Sequence, residues 1–270
     1  MKGEEMRRVE PKVFLIGETK IYWDGVAAYL NHIGVPGWKP KDWTRDLPSD
    51  IEKLIEVYGR LCYRSFGVGL NPNITKVRET NREYLKNIIE VKHGSVLEHG
   101  FVNFVFADVS RVFTHELVRH RVGTSISQES LRFVRIEDMG FWFPPLVEEN
   151  DEAMTLFLQT VRDLEEVQKK LAEAFKVAEQ KSFHEKKRIT TVMRRLLPEG
   201  LATTIGWGAN IRTLRWLISM RTEPGAEEEI RLVFGKVAEI LIERYPNLFD
   251  DFKKEMSDGL PWYRTSSEKV

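Results

Sequence analysis

The longest patterned stretch in the 270-residue chain runs from Asp151 to Lys187. Phe157, Val161, Leu164, Leu171 and Phe175 recur there at helical spacing, with charged residues between them. Apolar positions three, four and seven apart share one face of a 3.6-residue repeat, so the stretch reads as one long amphipathic helix or two. Residues 101–107 (FVNFVFA) break that period with a run rich in Phe and Val, the mark of a strand. Together the two periods set the fold class as α+β, with more helix than strand. A chain of this length buries about three-quarters of its unfolded surface, and 42% apolar against 30% charged residues suits a packed core rather than disorder.

The remaining elements follow from caps and breakers. Residues 12–16 (KVFLI) read as a short first strand, and 23–50, with WDG, VPGWKPKDW and LPSD, as an ordered connecting segment. Ser49 or Asp50 caps a helix through about Arg60, with Ile51, Leu54, Ile55 and Tyr58 on one face. A loop (SFGVGLNPNIT) leads to a helix over about 78–92, and Ser110 offers an N-cap for a helix through about Arg119. Further helices fit 190–197, 210–221 and 226–244, and 251–270 reads as a polar, peripheral tail. The expected organisation is an N-terminal extension (1–50) packed on one domain (51–250), followed by that tail.

Several function classes fall away at once. One cysteine, Cys62, excludes an intramolecular disulfide framework and any metal site built on two or four cysteines. Equal numbers of basic and acidic residues, 41 of each, argue against a nucleic-acid binder. No secretory h-region and no 18-residue apolar span appears, so the expected location is the cytoplasm, away from any membrane.

Within the neutral whole, charge is locally uneven. Four of the six histidines (His93, His99, His115, His120) fall between 93 and 120. Arg111, Arg119, Arg121, Arg132 and Arg135 follow in 25 residues without one lysine. Arginine presents a planar fork of donors suited to carboxylate and phosphate. In a helix through 119, Arg111, His115 and Arg119 share a face, and Glu116 pairs with His120. The helix gives way to VGTSISQES, dense in hydroxyls and amides. Guanidinium forks beside neutral hydrogen-bonding groups are what a nucleotide requires, although Arg and His on a helix more often form only a solvated face. A second cluster tilts the balance: Arg194, Arg195, Asn210, Arg212, Arg215 and Arg221 lie mostly in the apolar stretch 201–221. Arginines buried there need acidic partners or a bound anion.

Taken in order, these segments resemble one family. RHRVGTSISQESLRF (119–133) is similar to the signature of the flavin-dependent thymidylate synthases of the ThyX type. CYRSF (62–66), KHGSVLEHGFVNFVF (92–106), RRLLP (194–198) and NIRTLRWLISMRTEPGAEEEIR (210–231) resemble its other conserved segments, in the same order. The resemblance implies a ThyX-type fold, an antiparallel or mixed sheet flanked by long helices, in a homotetramer with shared active sites. It implies an FAD enzyme that methylates dUMP to dTMP, with methylenetetrahydrofolate as carbon donor and NADPH reducing the flavin. Carried over by position, Ser65, Ser95, Glu98, Arg119, His120, Arg121, Gln128, Asn210 and Arg212 fall at flavin positions. Glu116, Arg119, Gln128, Ser130, Arg132, Arg194 and Arg221 fall at nucleotide positions. Arg221 and Ser130 are the candidate catalytic pair: Arg221 stabilises negative charge growing on the uracil ring, and Ser130 is better read as an orienting hydrogen-bonder than as a nucleophile, since no histidine stands beside it.

The chain departs from the family pattern in three places. Eight residues, not seven, separate RHR from the serine; Glu116 stands where many relatives carry glutamine; and Trp216 takes a position often polar. Other readings are weaker. The histidine spacings offer no H-x-x-x-H or HExxH metal pair, and no glycine-rich dinucleotide fingerprint appears, so FAD is not expected to bind in Rossmann fashion. A nucleic-acid module would draw on the arginine density, but neither arginine cluster contains lysine.

Overall fold

A computed structural model describes residues 7–44, 48–131, 140–267 and 270. The chain forms two compact units, one of Met1–Phe14, Val105–His120 and Ile126–Gly206, the other of Leu15–Phe104, Arg121–Ser125 and Trp207–Val270. In chain order the strands are β1 (Lys12–Glu18), β2 (Phe101–Ser110), β3 (Thr124–Gln128), β4 (Ala202–Asn210), β5 (Lys253–Ser257) and β6 (Leu260–Arg264). The helices are α1 (Trp23–His32), α2 (Asp50–Tyr63), α3 (Asn81–Glu90), α4 (Arg111–Leu117), α5 (Pro145–Glu148), α6 (Asp151–Ala174), α7 (Phe183–Met193), α8 (Ile211–Arg221), α9 (Glu228–Arg244) and α10 (Pro246–Phe249).

Four strands form one sheet in the order β1-β2-β4-β3. Bonds beyond the strand ends fix β2 and β4 as antiparallel: the Ile211 amide donates to Gly100 O at 2.9 Å and the Arg111 amide to Leu201 O at 3.2 Å. β3 runs antiparallel to β4 by the same logic, through Asn210 N to Gly123 O (3.0 Å) and Glu129 N to Thr204 O (2.9 Å). Val102, Phe104 and Phe106 on β2, and Thr203, Ile205, Trp207 and Ala209 on β4, are all buried, which gives each strand one core face at a period of two. In the second unit Trp207 packs on Phe234 of α9, with ring centroids 5.9 Å apart. In the first, Leu131, Phe141, Phe143, Val161 and Leu201 form the core under α6.

Ser49 and Ser110 cap helices as the sequence offered, and Asn210, read as the first residue of its helix, is a cap as well. Ser49 closes a capping box with Glu52, the hydroxyl accepting from the Glu52 amide and the Glu52 carboxylate accepting from the Ser49 amide. Ser110 Oγ accepts from the Phe113 amide at 3.0 Å, and Asn210 Oδ1 from the Thr213 amide at 2.8 Å.

Five readings need correction. The stretch 23–50 is not merely connecting: it holds α1 and a 3-10 turn, Lys41–Thr44, whose Trp43 packs in a buried cluster with Ile21 and Val57. α2 buries Glu52, Glu56 and Arg60 beside Ile51 and Ile55, whereas Tyr58, expected on that face, is exposed. α4 stops at Leu117, so Arg119 and His120 lie beyond it and the helical spacing expected of Arg111, His115 and Arg119, and of Glu116 and His120, does not hold; His115 Nδ1 lies 3.5 Å from Glu199. The polar run after RHR is an edge strand, β3, rather than a loop. Finally, 251–270 is no loose tail: β5 and β6 form a hairpin with Ser257 opposite Leu260. Its two-residue turn, Asp258-Gly259, has φ of 54° and 74°, the left-handed pair that such turns require.

Candidate active site

Each unit carries some of the residues that the sequence singled out. In the first, α4 brings Thr114 beside β3. Gln128 Nε2 donates to Thr114 Oγ1 at 3.1 Å, which ties the end of β3 to the helix. Glu116 and Ser130 are half-buried and His120 is buried, while Arg119 and Arg194 are exposed. Glu129, the acid next to Ser130, accepts from the Thr204 amide at 3.2 Å, so its carboxylate is engaged along β4. Arg132 and Arg135 lie outside the described residues.

The second unit gathers more of the expected residues. Glu98 and Arg212 meet directly, with Arg212 Nη1 donating to Glu98 Oε1 at 2.6 Å. Glu98 and Ser95 share a 3-10 segment, Gly94–His99, and both are exposed. The arm carrying Arg121 is fastened to the start of α8: Thr213 Oγ1 donates to Val122 O at 3.0 Å, and the Asn210 amide donates to Gly123 O. Arg121 remains exposed, and Arg221, the last residue of α8, is half-buried.

The buried arginines resolve differently. Arg215 is fully buried and paired through both Nη atoms with Asp251, at 2.8 and 2.6 Å. Burial alone would raise the Asp251 carboxyl; the Arg215 bonds and charge outweigh it and hold the carboxyl below its ordinary value. Of the two alternatives the sequence left open, Arg215 takes the acidic partner. Arg60, which the sequence did not single out, is buried against Glu56, with Nη2 to Oε1 at 2.7 Å.

Ser65 opens onto a cavity of about 290 Å³ lined by Arg60, Tyr63, Lys76, Arg78, Tyr84 and His93 along with apolar Ile74, Val77 and Ile88. Ser65 is buried in its wall, where its hydroxyl faces that of Tyr84. Burial pushes the Tyr84 hydroxyl well above its ordinary value, which keeps it a donor. Tyr63 Oη lies 2.6 Å from a ring nitrogen of His93, and Arg78 Nη2 donates to Asn87 Oδ1 at 2.6 Å. Apolar walls with a few convergent cations and donors suit a flat ring system bearing anionic groups. Tyr63, Lys76, Arg78 and Tyr84 were not foreseen; Lys76 and Arg78 stand only two apart, between the loop and α3, which begins at Asn81 rather than at about 78.

Comparison with known proteins identifies the family. The family model described as "Thymidylate synthase complementing protein" matches residues 46–247. A flavin-dependent thymidylate synthase of Corynebacterium diphtheriae is 35% identical over 223 residues, covering 81% of this chain and 86% of the relative. One from Mycobacteroides abscessus is 34% identical over 227 residues, with the same coverage. Among solved structures, the UMP/dUMP methylase PolB of Streptomyces cacaoi, bound with 5-Br UMP, shares the fold with a TM-score of 0.60 at 14% identity, covering 91% of this chain and 95% of that one. The chain belongs to the flavin-dependent thymidylate synthases.

Proposed function

We propose that this chain converts dUMP to dTMP, with FAD held by Ser65, Ser95, Glu98, Arg119, His120, Arg121, Gln128, Asn210 and Arg212 and the nucleotide by Glu116, Arg119, Gln128, Ser130, Arg132, Arg194 and Arg221. The observation that carries the reading is the buried Ser65 hydroxyl on a cavity that Lys76 and Arg78 also line, at a position that the resemblance assigns to flavin. The donor set fits the cofactor: guanidinium groups for its diphosphate and hydroxyl and amide groups for its ring edge. When bound, FAD, reduced by NADPH, supplies the hydride, and methylenetetrahydrofolate supplies the carbon.

The chain's own groups bind, orient and stabilise. Exposed Arg119, Arg121 and Arg194 make no ion pair among the described residues, so each is available to an anion. Arg221 cannot act as a base at ordinary pH; its role is to stabilise negative charge on the uracil carbonyl and ring nitrogen. Ser130 orients the pyrimidine. Cys62, exposed near the end of α2, is not cast as a uracil nucleophile.

Assembly as a homotetramer with shared sites is supported by apolar side chains left in solvent on α6 and α7, among them Leu156, Phe157 and Phe183. Among the described residues no helix is long and apolar enough to cross a membrane, in keeping with a cytoplasmic enzyme. The deciding experiment is the visible spectrum of the purified protein before and after dUMP. Flavin bands that shift with dUMP place both ligands in one site, and Arg221→Ala is expected to keep the flavin bands while losing dTMP formation. A protein that takes up no added FAD ends the reading.

A further inference from the structure

None of the assigned flavin or nucleotide positions falls within residues 1–50. Three aromatic side chains from that segment nevertheless converge on the stretch that leads to Ser65. Tyr29 of α1 and Trp38 meet Phe66 edge-on, with ring centroids 6.0 and 4.9 Å away. Trp43 Nε1 donates to Glu56 Oε2 at 3.3 Å. Trp38 also packs on the Arg60 guanidinium, whose central carbon lies 5.0 Å from the Trp38 ring and 4.4 Å from that of Tyr84.

Arg60 is buried, and its donors reach three groups: Nε to Glu56 Oε1 at 2.8 Å, Nη1 to the Ser65 carbonyl oxygen at 2.9 Å and Nη2 to the Arg78 carbonyl oxygen at 2.8 Å. The Ser65 amide in turn donates to the Arg60 carbonyl oxygen at 3.0 Å. One residue therefore holds both main-chain polar groups of Ser65, just past the left-handed Arg64 (φ 51°) that ends α2. A guanidinium offers its five N–H donors in one plane, so its tilt decides which carbonyls it reaches. Aromatic faces attract the cation and, packed against it, restrict that tilt. We propose that Trp38 is a positioning residue for flavin binding: packed on Arg60 and Phe66, it sets the arginine that holds Ser65, and so fixes where Ser65 stands when the cofactor binds. The proposal rests on the reading of Ser65 as a flavin position. A contact group ordered in advance loses no further freedom when the cofactor arrives.

FAD is titrated into the apoprotein of the full chain and of Trp38→Leu, Trp38→Phe, Arg60→Lys, Ser65→Ala and the double variant Trp38→Leu/Ser65→Ala, and binding is followed by flavin fluorescence. Trp38→Leu is expected to weaken FAD about tenfold. Trp38→Phe, which keeps an aromatic face on the guanidinium, recovers most of that loss. Arg60→Lys, a point charge that cannot serve Glu56, Ser65 and Arg78 together, weakens FAD at least as much as Trp38→Leu. Ser65→Ala weakens FAD by itself, and adding Trp38→Leu to it changes little more, since the tryptophan acts through Ser65. Circular dichroism melts of the apoproteins report folding; a brace that only stabilised the fold would lower the melting temperature and leave FAD affinity alone. Trp38 is half-buried, so its variants decide the matter if Arg60→Lys does not fold. Unchanged FAD affinity in folded Trp38→Leu, or losses that add in full in the double variant, overturn the proposal while the flavin reading stands. A Ser65→Ala variant that binds FAD normally removes Ser65 from the flavin site and overturns both.

Discussion

Gly123 shows how a single residue settles the geometry after the RHR arm. Its φ is +69°, a left-handed conformation that a side chain tolerates poorly, and a Cβ there would lie 2.3 Å from Asn210 Nδ2 and 2.5 Å from Thr213 Oγ1. The loop that carries one residue more than the family pattern turns here and enters β3 at Thr124. Gly123→Ala is therefore expected to cost about 1–3 kcal/mol in urea denaturation and to weaken FAD, because the Arg121 arm and the α8 N-terminus move apart; a variant with unchanged stability and FAD affinity contradicts this. At this scale the sequence was legible wherever chemistry sits in a short motif, as with RHR, or in an ordered series of segments. Arg60 stayed hidden because a glutamate four residues before an arginine on a helix reads as a solvated pair. Only the tertiary fold buries it under Trp38 and Tyr84.

Elements were legible where a cap or an uninterrupted period marks them. Ser49, Ser110 and Asn210 each accept from a backbone amide in the first turn of their helix. Ser110→Ala is expected to cost about 1 kcal/mol through the orphaned amide at the start of α4, read as a lower urea midpoint with an unchanged slope; a full-strength variant would mean that water satisfies that amide equally well. The long amphipathic stretch divides into α6 and α7, one of the two divisions it allowed. β3 was missed because an edge strand with hydroxyl-rich, exposed side chains lacks the apolar alternation that announces a strand. The β5–β6 hairpin was missed for a different reason: the Asp-Gly turn signal at 258–259 was present, but the polar composition around it suggested a frayed end. The end of α4 at Leu117 illustrates the usual imprecision of helix boundaries, and here it changes which groups share a face.

Across the whole molecule, the Arg215–Asp251 pair joins α8 to the residues between α10 and β5. Asp251→Asn leaves a fully buried guanidinium without its charge partner and is expected to cost about 3–5 kcal/mol. The same pair sets an acid limit. Because the folded carboxyl titrates below its ordinary value, its contribution is complete above the unfolded value of about 3.9 and is lost as pH falls through the lower folded value. Unfolding free energies measured between pH 6 and 2 are expected to show this loss in the natural chain and a shallower slope in Asp251→Asn; equal slopes would place the acid sensitivity elsewhere. The family and its chemistry were therefore readable from motif order, whereas the internal ion pairs that hold the scaffold required the fold. One further feature has a practical side. The chain's single thiol, Cys62, is exposed on α2 three residues before Ser65, so a maleimide dye can be attached at one defined place without engineering. Energy transfer from that dye to the yellow cofactor would report occupancy in real time, in dilute solution and without turnover.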